Sequence, residues 1–416
     1  MTATPAWPVQ GPPHRDELVS WTTAESSDAE IIAIPALAAT PAPGWTELID
    51  GRGVFVRREP DAEGSTPVWF VHGLGGASTD WTRLSAALAP FAPGFSLDLP
   101  GSGRSDPPPG ARYSPLQDAE LVAAAIDQVT GGPVHLVGNS YGGVVTTLLA
   151  ASRPDLVRTL TVIAPAVPDL RMTRDRGADP RLGLLLVPGT AGIAYGRLAS
   201  IPPADRARGM GELCFGHPEL ITDEDYEAAA AEHTWRASLP WVYSATVGTL
   251  RGLMSSYLRR GRASFTAAAA GVQAPTLVIW GTRDRLVDVR LAQRSAAGYR
   301  DSRLLVLPEC GHVAQMEDPE ATARGILSLW QRSEGQRAEG RPAEGQPAER
   351  PGAPRRWDQH AMATSYRDFA SRRAPSTRVG RGARSRGRRI GSPSIRAAGR
   401  PVRAVGRRRV TVHPRG

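Results

Sequence analysis

Three side chains in this chain have the types and order needed to turn an alcohol into a nucleophile: Ser140, Asp284 and His312. A serine hydroxyl attacks a carbonyl only when a base within hydrogen-bond reach takes its proton, and the base needs an acid to hold its tautomer. Ser140 stands at the apex of Gly138-Asn139-Ser140-Tyr141-Gly142-Gly143. An apolar run (residues 134–137, VHLV) precedes it and a helix-prone run (residues 144–151) follows. Strand, sharp turn and helix in that order lift a serine above a sheet edge, provided glycines leave room where strand and helix nearly touch. Asp284 follows the apolar run 275–280 in Gly281-Thr282-Arg283-Asp284, and His312 follows the run 303–307 in Cys310-Gly311-His312. Each therefore sits on a loop at the carboxyl end of a strand, where open α/β sheets gather their ligands.

Competing assignments are few. Asp288 is a second candidate for the acid, and Asp284 could serve only as a helix cap. Among other histidines, His72 and His135 precede the serine, His217 and His233 fall in a helical insertion, and His14, His360 and His413 lie in the terminal segments. Two backbone N–H groups must also converge on the oxyanion that forms during attack. The residue after the nucleophile, Tyr141, supplies one. The loop His72-Gly73-Leu74-Gly75-Gly76, at the end of the apolar run 68–71, supplies the other, with Leu74 N–H as the expected donor.

The elements that must position these groups can be read from pattern. Strands are expected at 45–49 and 53–58, joined by the turn pair Asp50-Gly51, and at 68–71, 95–98, 134–137, 159–163, 275–280 and 303–307. Helices are expected at 80–88, 115–129, 144–151, 287–297 and 319–331. Alternating strand and helix predict an α/β fold, a mostly parallel eight-stranded-type sheet with helices on both faces. The alternation breaks at 166–270, which reads as a helical cap inserted into a core of residues 44–165 and 271–331. Residues 1–43, rich in Pro, Ala and Thr, read as a flexible lead with a short element at Ile31-Ile32-Ala33-Ile34. The ordered chain is expected to end near Gln331.

Charge divides the 416 residues unevenly. The net charge is +9, but 22 of the 50 basic residues and only six of the 41 acids follow Gln331, and every cation is Arg. The rest of the chain is mildly acidic. The segment 332–416 begins with a five-residue repeat (334–338, 339–343, 344–348) and reads as a disordered Arg-rich tail with no recognisable nucleic-acid module. No run reaches the length of about 20 apolar residues that a spanning helix needs. Residues 1–16 lack the basic start and apolar centre of a secretory signal, and two cysteines cannot make a disulfide framework. A cytoplasmic protein with no membrane span is expected.

Together, His72-Gly73-Leu74-Gly75-Gly76, Asp98-Leu99-Pro100-Gly101-Ser102-Gly103-Arg104-Ser105, the Ser140 turn, Gly281-Thr282-Arg283-Asp284 and Cys310-Gly311-His312 resemble the α/β-hydrolase superfamily over residues 45–331. The resemblance implies Ser140 as nucleophile, Asp284 as acid and His312 as base, with no cofactor and no metal. Serine at the apex speaks against epoxide hydrolases and haloalkane dehalogenases, which carry aspartate there. The Gly-Asn-Ser-x-Gly-Gly version is similar to carbon–carbon bond hydrolases of aromatic degradation and to several esterase groups. The expected activity is hydrolysis of a small-molecule ester or related acyl substrate. The alternatives are carbon–carbon cleavage and a non-catalytic ligand receptor on the same scaffold.

Overall fold

The computed structural model describes residues 21–31, 34–59, 66–169, 184–187, 189–261 and 264–339. The Arg-rich segment from residue 340 and the middle of the Ile31–Ile34 stretch lie outside the described residues.

Eight strands form one sheet: β1 (Gly44–Ile49), β2 (Arg52–Arg58), β3 (Val68–Val71), β4 (Gly94–Leu97), β5 (Val134–Asn139), β6 (Val157–Ile163), β7 (Thr276–Gly281) and β8 (Ser302–Leu307). Their spatial order is β1-β2-β4-β3-β5-β6-β7-β8. The β1–β2 and β2–β4 pairs are antiparallel, and all others are parallel. Every residue of β3, β4, β5 and β7 is buried, which is why these segments read as continuous apolar runs. Their side chains alternate between two cores. Trp69, Leu97, Leu136 and Trp280 point to one face, and Phe70, Val137, Ile163 and Ile279 to the other.

Helices α1 (Thr82–Leu88), α2 (Pro115–Val129) and α3 (Tyr141–Ser152) follow β3, β4 and β5 respectively. After β6 come the cap helices α4 (Ala191–Ala199), α5 (Pro203–Cys214), α6 (Asp223–Ala237) and α7 (Val242–Tyr257). The core resumes with α8 (Phe265–Gly271), then α9 (Ala292–Ala296) after β7, and α10 (Ala314–Glu317) and α11 (Pro319–Ala338) after β8. The chain runs from β3 outward to β4, then returns to the opposite side of β3 with β5. Connections leaving β3 and β5 therefore diverge, and a crevice opens at their carboxyl ends.

Three expectations are corrected. The closing helix continues to Ala338 and takes in the first copy of the repeat. Its face is anchored as far as Trp330 and Ser333, so the last turn only extends a helix already nucleated. The helix α8 packs on α3 through buried Ala268 and Ala269, so the core resumes before residue 271. The lead segment is not loose throughout. The Thr23 and Ala24 N–H groups donate to Leu304 O at 2.8 and 3.0 Å, and Val306 N donates to Thr22 Oγ1 at 3.1 Å. Arg324 Nη1 holds the carbonyls of Ser27 and Ala29, and Ala38 N reaches the Asp225 carboxylate of α6 at 2.7 Å. Residues 22–24 thus cover the open edge of β8, closing an edge otherwise available to another chain. Threonine hydroxyls share the pairing with the main chain, Leu304 N also donating to Thr23 Oγ1 at 2.9 Å, so no strand-like alternation is left to read.

Among the described residues, no helix is long and apolar enough to cross a membrane.

Candidate active site

Ser140 links the end of β5 directly to the first residue of α3. Its backbone has φ 53° and ψ −115°, a conformation that costs a non-glycine residue roughly 1–3 kcal/mol. The chain holds it there with Ser140 N on Ile163 O at 2.9 Å and Ala166 N on Ser140 O at 3.0 Å. Gly142 is required by proximity: a Cβ there would stand 2.1 Å from Val71 O and 2.6 Å from His72 O. Asn139 and Tyr141 are buried on either side while Ser140 keeps partial exposure.

The imidazole of His312 meets the Asp284 carboxylate. His312 Nδ1 lies 2.7 Å from Asp284 Oδ2, with both side chains almost fully buried. The other carboxylate oxygen, Oδ1, accepts Leu286 N at 2.8 Å and Val287 N at 2.9 Å, which fixes the carboxylate plane. Asp288 is occupied elsewhere, accepting Arg290 N at 3.0 Å and pairing with Arg290 Nε at 3.3 Å. The His312 loop also touches the elbow. Asn139 Nδ2, on the residue before Ser140, donates to His312 O and to Ile163 O, both at 3.1 Å.

The loop after β3 closes the other side. A Cβ on Gly73 would lie 3.2 Å from Ser140 Cβ, so this loop passes directly over the serine. Leu74 follows with its side chain partly exposed. Tyr141 opens α3, and its N–H precedes the first carbonyl the helix could offer it. His72 holds the loop in place: its Nδ1 lies 2.7 Å from Gly73 O while Nε2 accepts Leu99 N at 3.0 Å. Those partners fix the tautomer with the proton on Nδ1, and burial holds the ring pKa below its usual value. Asp98 plays a similar part, accepting Ser78 N at 2.6 Å and Arg104 N at 2.8 Å. The cap leans on the loop after β3 through Arg236 of α6, whose guanidinium donates to Gly75 O, and on the loop after β4 through Trp235, whose ring lies 4.7 Å from the Arg104 guanidinium.

The other histidines among the described residues have different surroundings. His135 stacks on Trp330 at 4.1 Å in the core, and burial lowers its pKa to about 3. His217 pairs with Glu219, and burial lowers His233 to about 4. Neither cysteine is poised to react: burial first, then the Asp284 charge, pushes Cys214 up to about 12, and burial raises Cys310 as well.

Pattern reading did not single out Asn139, His72, Asp118 or Glu317 for a role, although the first two stand inside motifs it quoted. Asp118 of α2 accepts the Tyr141 hydroxyl at 2.6 Å, and burial pushes its carboxyl up to about 7 against the opposing effects of that bond and of Arg52. A carboxyl raised in the folded state stabilises the fold below its unfolded pKa of about 3.9, and that contribution is lost as pH climbs to the folded value. Asp118→Asn, which keeps an acceptor for Tyr141, should therefore gain on wild type by about 1.4 kcal/mol per pH unit between pH ~4 and ~7, then level off. Urea unfolding at pH 5, 6 and 8 measures this. A gap that does not move with pH would refute the assignment.

Residues 70–325, more than half of the chain, match the model of the Alpha/beta hydrolase family. The chain belongs to that family. It is 29% identical over 296 residues, 71% of each chain, to the dihydrolipoyllysine-residue acetyltransferase component of the acetoin cleaving system of Pseudomonas putida. It is 24% identical over 294 residues to the 2-hydroxy-6-oxononadienedioate/2-hydroxy-6-oxononatrienedioate hydrolase of Escherichia coli O81 (strain ED1a), covering 68% of this chain and 93% of that one. Among solved structures, a thermophilic esterase from Thermogutta terrifontis superposes with a TM-score of 0.53 at 21% identity, over 70% of this α/β-hydrolase and 99% of the esterase.

Proposed function

We propose that this α/β-hydrolase is a serine hydrolase that cleaves a carboxylic ester or related acyl compound by way of an acyl-enzyme. The observation that carries the reading is the buried His312–Asp284 pair, whose loop is bonded through His312 O to the residue beside Ser140. With Asp284 accepting the Nδ1 proton, Nε2 is left with a lone pair to take the Ser140 proton as Oγ attacks the carbonyl. The oxyanion is received by the N–H groups of Tyr141 and Leu74, which cost no reorganisation because helix start and loop already hold them. The proton on Nε2 goes to the departing alcohol. Water then enters, gives its proton to His312, and attacks the acyl carbon, and Ser140 leaves with that proton. The cap helices line the approach and select the acyl group.

A second reading, carbon–carbon bond hydrolysis, is favoured by one observation: the similarity to an Escherichia coli hydrolase of a 2-hydroxy-6-oxo dienedioate, over 93% of its length. One assay set separates the readings. A fluorophosphonate probe should add one mass adduct at Ser140, and p-nitrophenyl esters of graded acyl length should be turned over at least tenfold faster than a vinylogous 1,5-diketone acid. Faster release from the diketone would select the second reading. No adduct and no turnover would leave a ligand receptor and reject both.

A further inference from the structure

Glu317, the last residue of α10, faces two segments that lie about a hundred residues apart in the chain. Its Oε2 accepts Gly311 N at 2.7 Å and Gly216 N at 3.0 Å, and its Oε1 accepts His217 N at 2.9 Å. The Cys310 thiol adds a longer contact at 3.7 Å. One carboxylate therefore binds the residue before His312 and two residues of the cap, in the segment that leaves α5. Bonds from backbone N–H to an ionised carboxylate are roughly twice as strong as neutral ones.

The two segments touch backbone to backbone around it. His312 N donates to Cys214 O at 2.7 Å. A Cβ on Gly216 would stand 2.1 Å from Glu309 O, and one on Gly311 would stand 2.4 Å from Cys214 O. The loop that carries Asp284 is drawn in as well: Arg283 N donates to Cys310 O at 2.8 Å, Arg283 Nη1 to Gly216 O at 3.2 Å, and Arg285 Nη1 to Glu212 O at 2.6 Å. Arg283 and His217 both face Glu309. Three loops thus meet, and the Glu317 carboxylate is the group that two of them share.

We propose that Glu317 is a positioning residue: it fastens cap residues 214–217 to the loop of His312, so that the seat of the cap and the placement of the imidazole are set by one group. The catalytic part of this rests on the reading of His312 as the base. A clasp of this kind makes cap movement and loss of base geometry the same event. A cap that lifts at residues 214–217 must give up its two bonds to Glu317 and the bond from His312 N to Cys214 O, and with them the backbone contacts that aim the ring.

The test uses the full chain with Glu317→Gln and Glu317→Asp. The glutamine turns an NH2 toward N–H donors at one of the two positions, while the aspartate keeps the charge but falls a methylene short. A displaced base of this sort costs about 100-fold in rate. Glu317→Gln should lower kcat for p-nitrophenyl esters about 100-fold, change KM by less than about threefold, and leave Glu317→Asp between it and wild type. In hydrogen exchange, peptides containing residues 214–217 and 309–312 should lose protection together in the glutamine variant, while those of β5 and β7 keep theirs. Wild-type kcat in the glutamine variant, or loosening of one segment without the other, would overturn the proposal. If wild type itself shows neither turnover nor probe labelling, the reading of His312 falls separately, and the paired loss of exchange protection still decides whether Glu317 fastens the two segments.

Discussion

Ser140→Ala is expected to lower p-nitrophenyl ester turnover by about 10⁴- to 10⁶-fold, the range seen when a serine nucleophile is removed from its base. The reason lies in how little else the substitution touches. Alanine keeps the Cβ and the main chain, so the bonds Ser140 N–Ile163 O and Ala166 N–Ser140 O persist, as does the φ of 53° that the elbow imposes. The side chain is only partly buried, so no cavity of consequence forms. Unfolding midpoints should match wild type within a degree or two, and the circular-dichroism spectrum should be unchanged. The His312–Asp284 pair and the two proposed oxyanion donors also remain, so any residual rate reports transition-state binding without a covalent intermediate. Mass spectrometry after fluorophosphonate treatment gives the second readout: wild type should carry one adduct and the variant none. Turnover within tenfold of wild type, or an adduct on another residue, would place the nucleophile elsewhere.

The sequence disclosed the parts of the site that local pattern controls. Continuous apolar runs marked β3, β5 and β7 because both faces of those strands are covered. The loops at the ends of these strands and of β8, the parallel neighbour of β7, then had to lie on one edge of the sheet, and that is enough to bring Asp284 to His312 across 28 residues of sequence. What stayed hidden was long-range and backbone-directed. Glu317 recognises three N–H groups, and N–H groups carry no residue identity for a pattern to register. His72 was visible as part of a glycine loop, but its bond from Leu99 N follows only when β3 and β4 lie side by side. The cover over β8 escaped for a similar reason: Thr22 and Thr23 bond through hydroxyls as well as main chain, so the segment lacks the period-two alternation of a strand. The extension of α11 to Ala338 reflects the opposite case, where weak local preference was carried by a helix already packed.

Asp284→Asn should cost about 10⁴-fold in kcat, close to the effect of losing a triad acid elsewhere, with almost no loss of stability. The size of the effect follows from which way the new amide must point. In wild type, Oδ1 accepts both Leu286 N and Val287 N, while Oδ2 faces His312 Nδ1. An asparagine oxygen can replace Oδ1 without strain. Turning the amide the other way would set its NH2 against two N–H donors in a buried site, leaving them unpaired at roughly 1–3 kcal/mol each. The NH2 is therefore directed at Nδ1, which must accept rather than donate. That places the imidazole proton on Nε2, where it faces Ser140 as a donor and cannot take the hydroxyl proton. Nitrogen-15 chemical shifts of His312 would show the change of tautomer directly, independent of any substrate. Asp288→Asn is the control, since its carboxylate serves Arg290, and it should leave kcat within a few-fold of wild type. An Asp284→Asn protein that keeps more than a tenth of its activity, or an Asp288→Asn protein that loses more than the Asp284 variant does, would move the acid to another residue and with it the reading of how His312 is held.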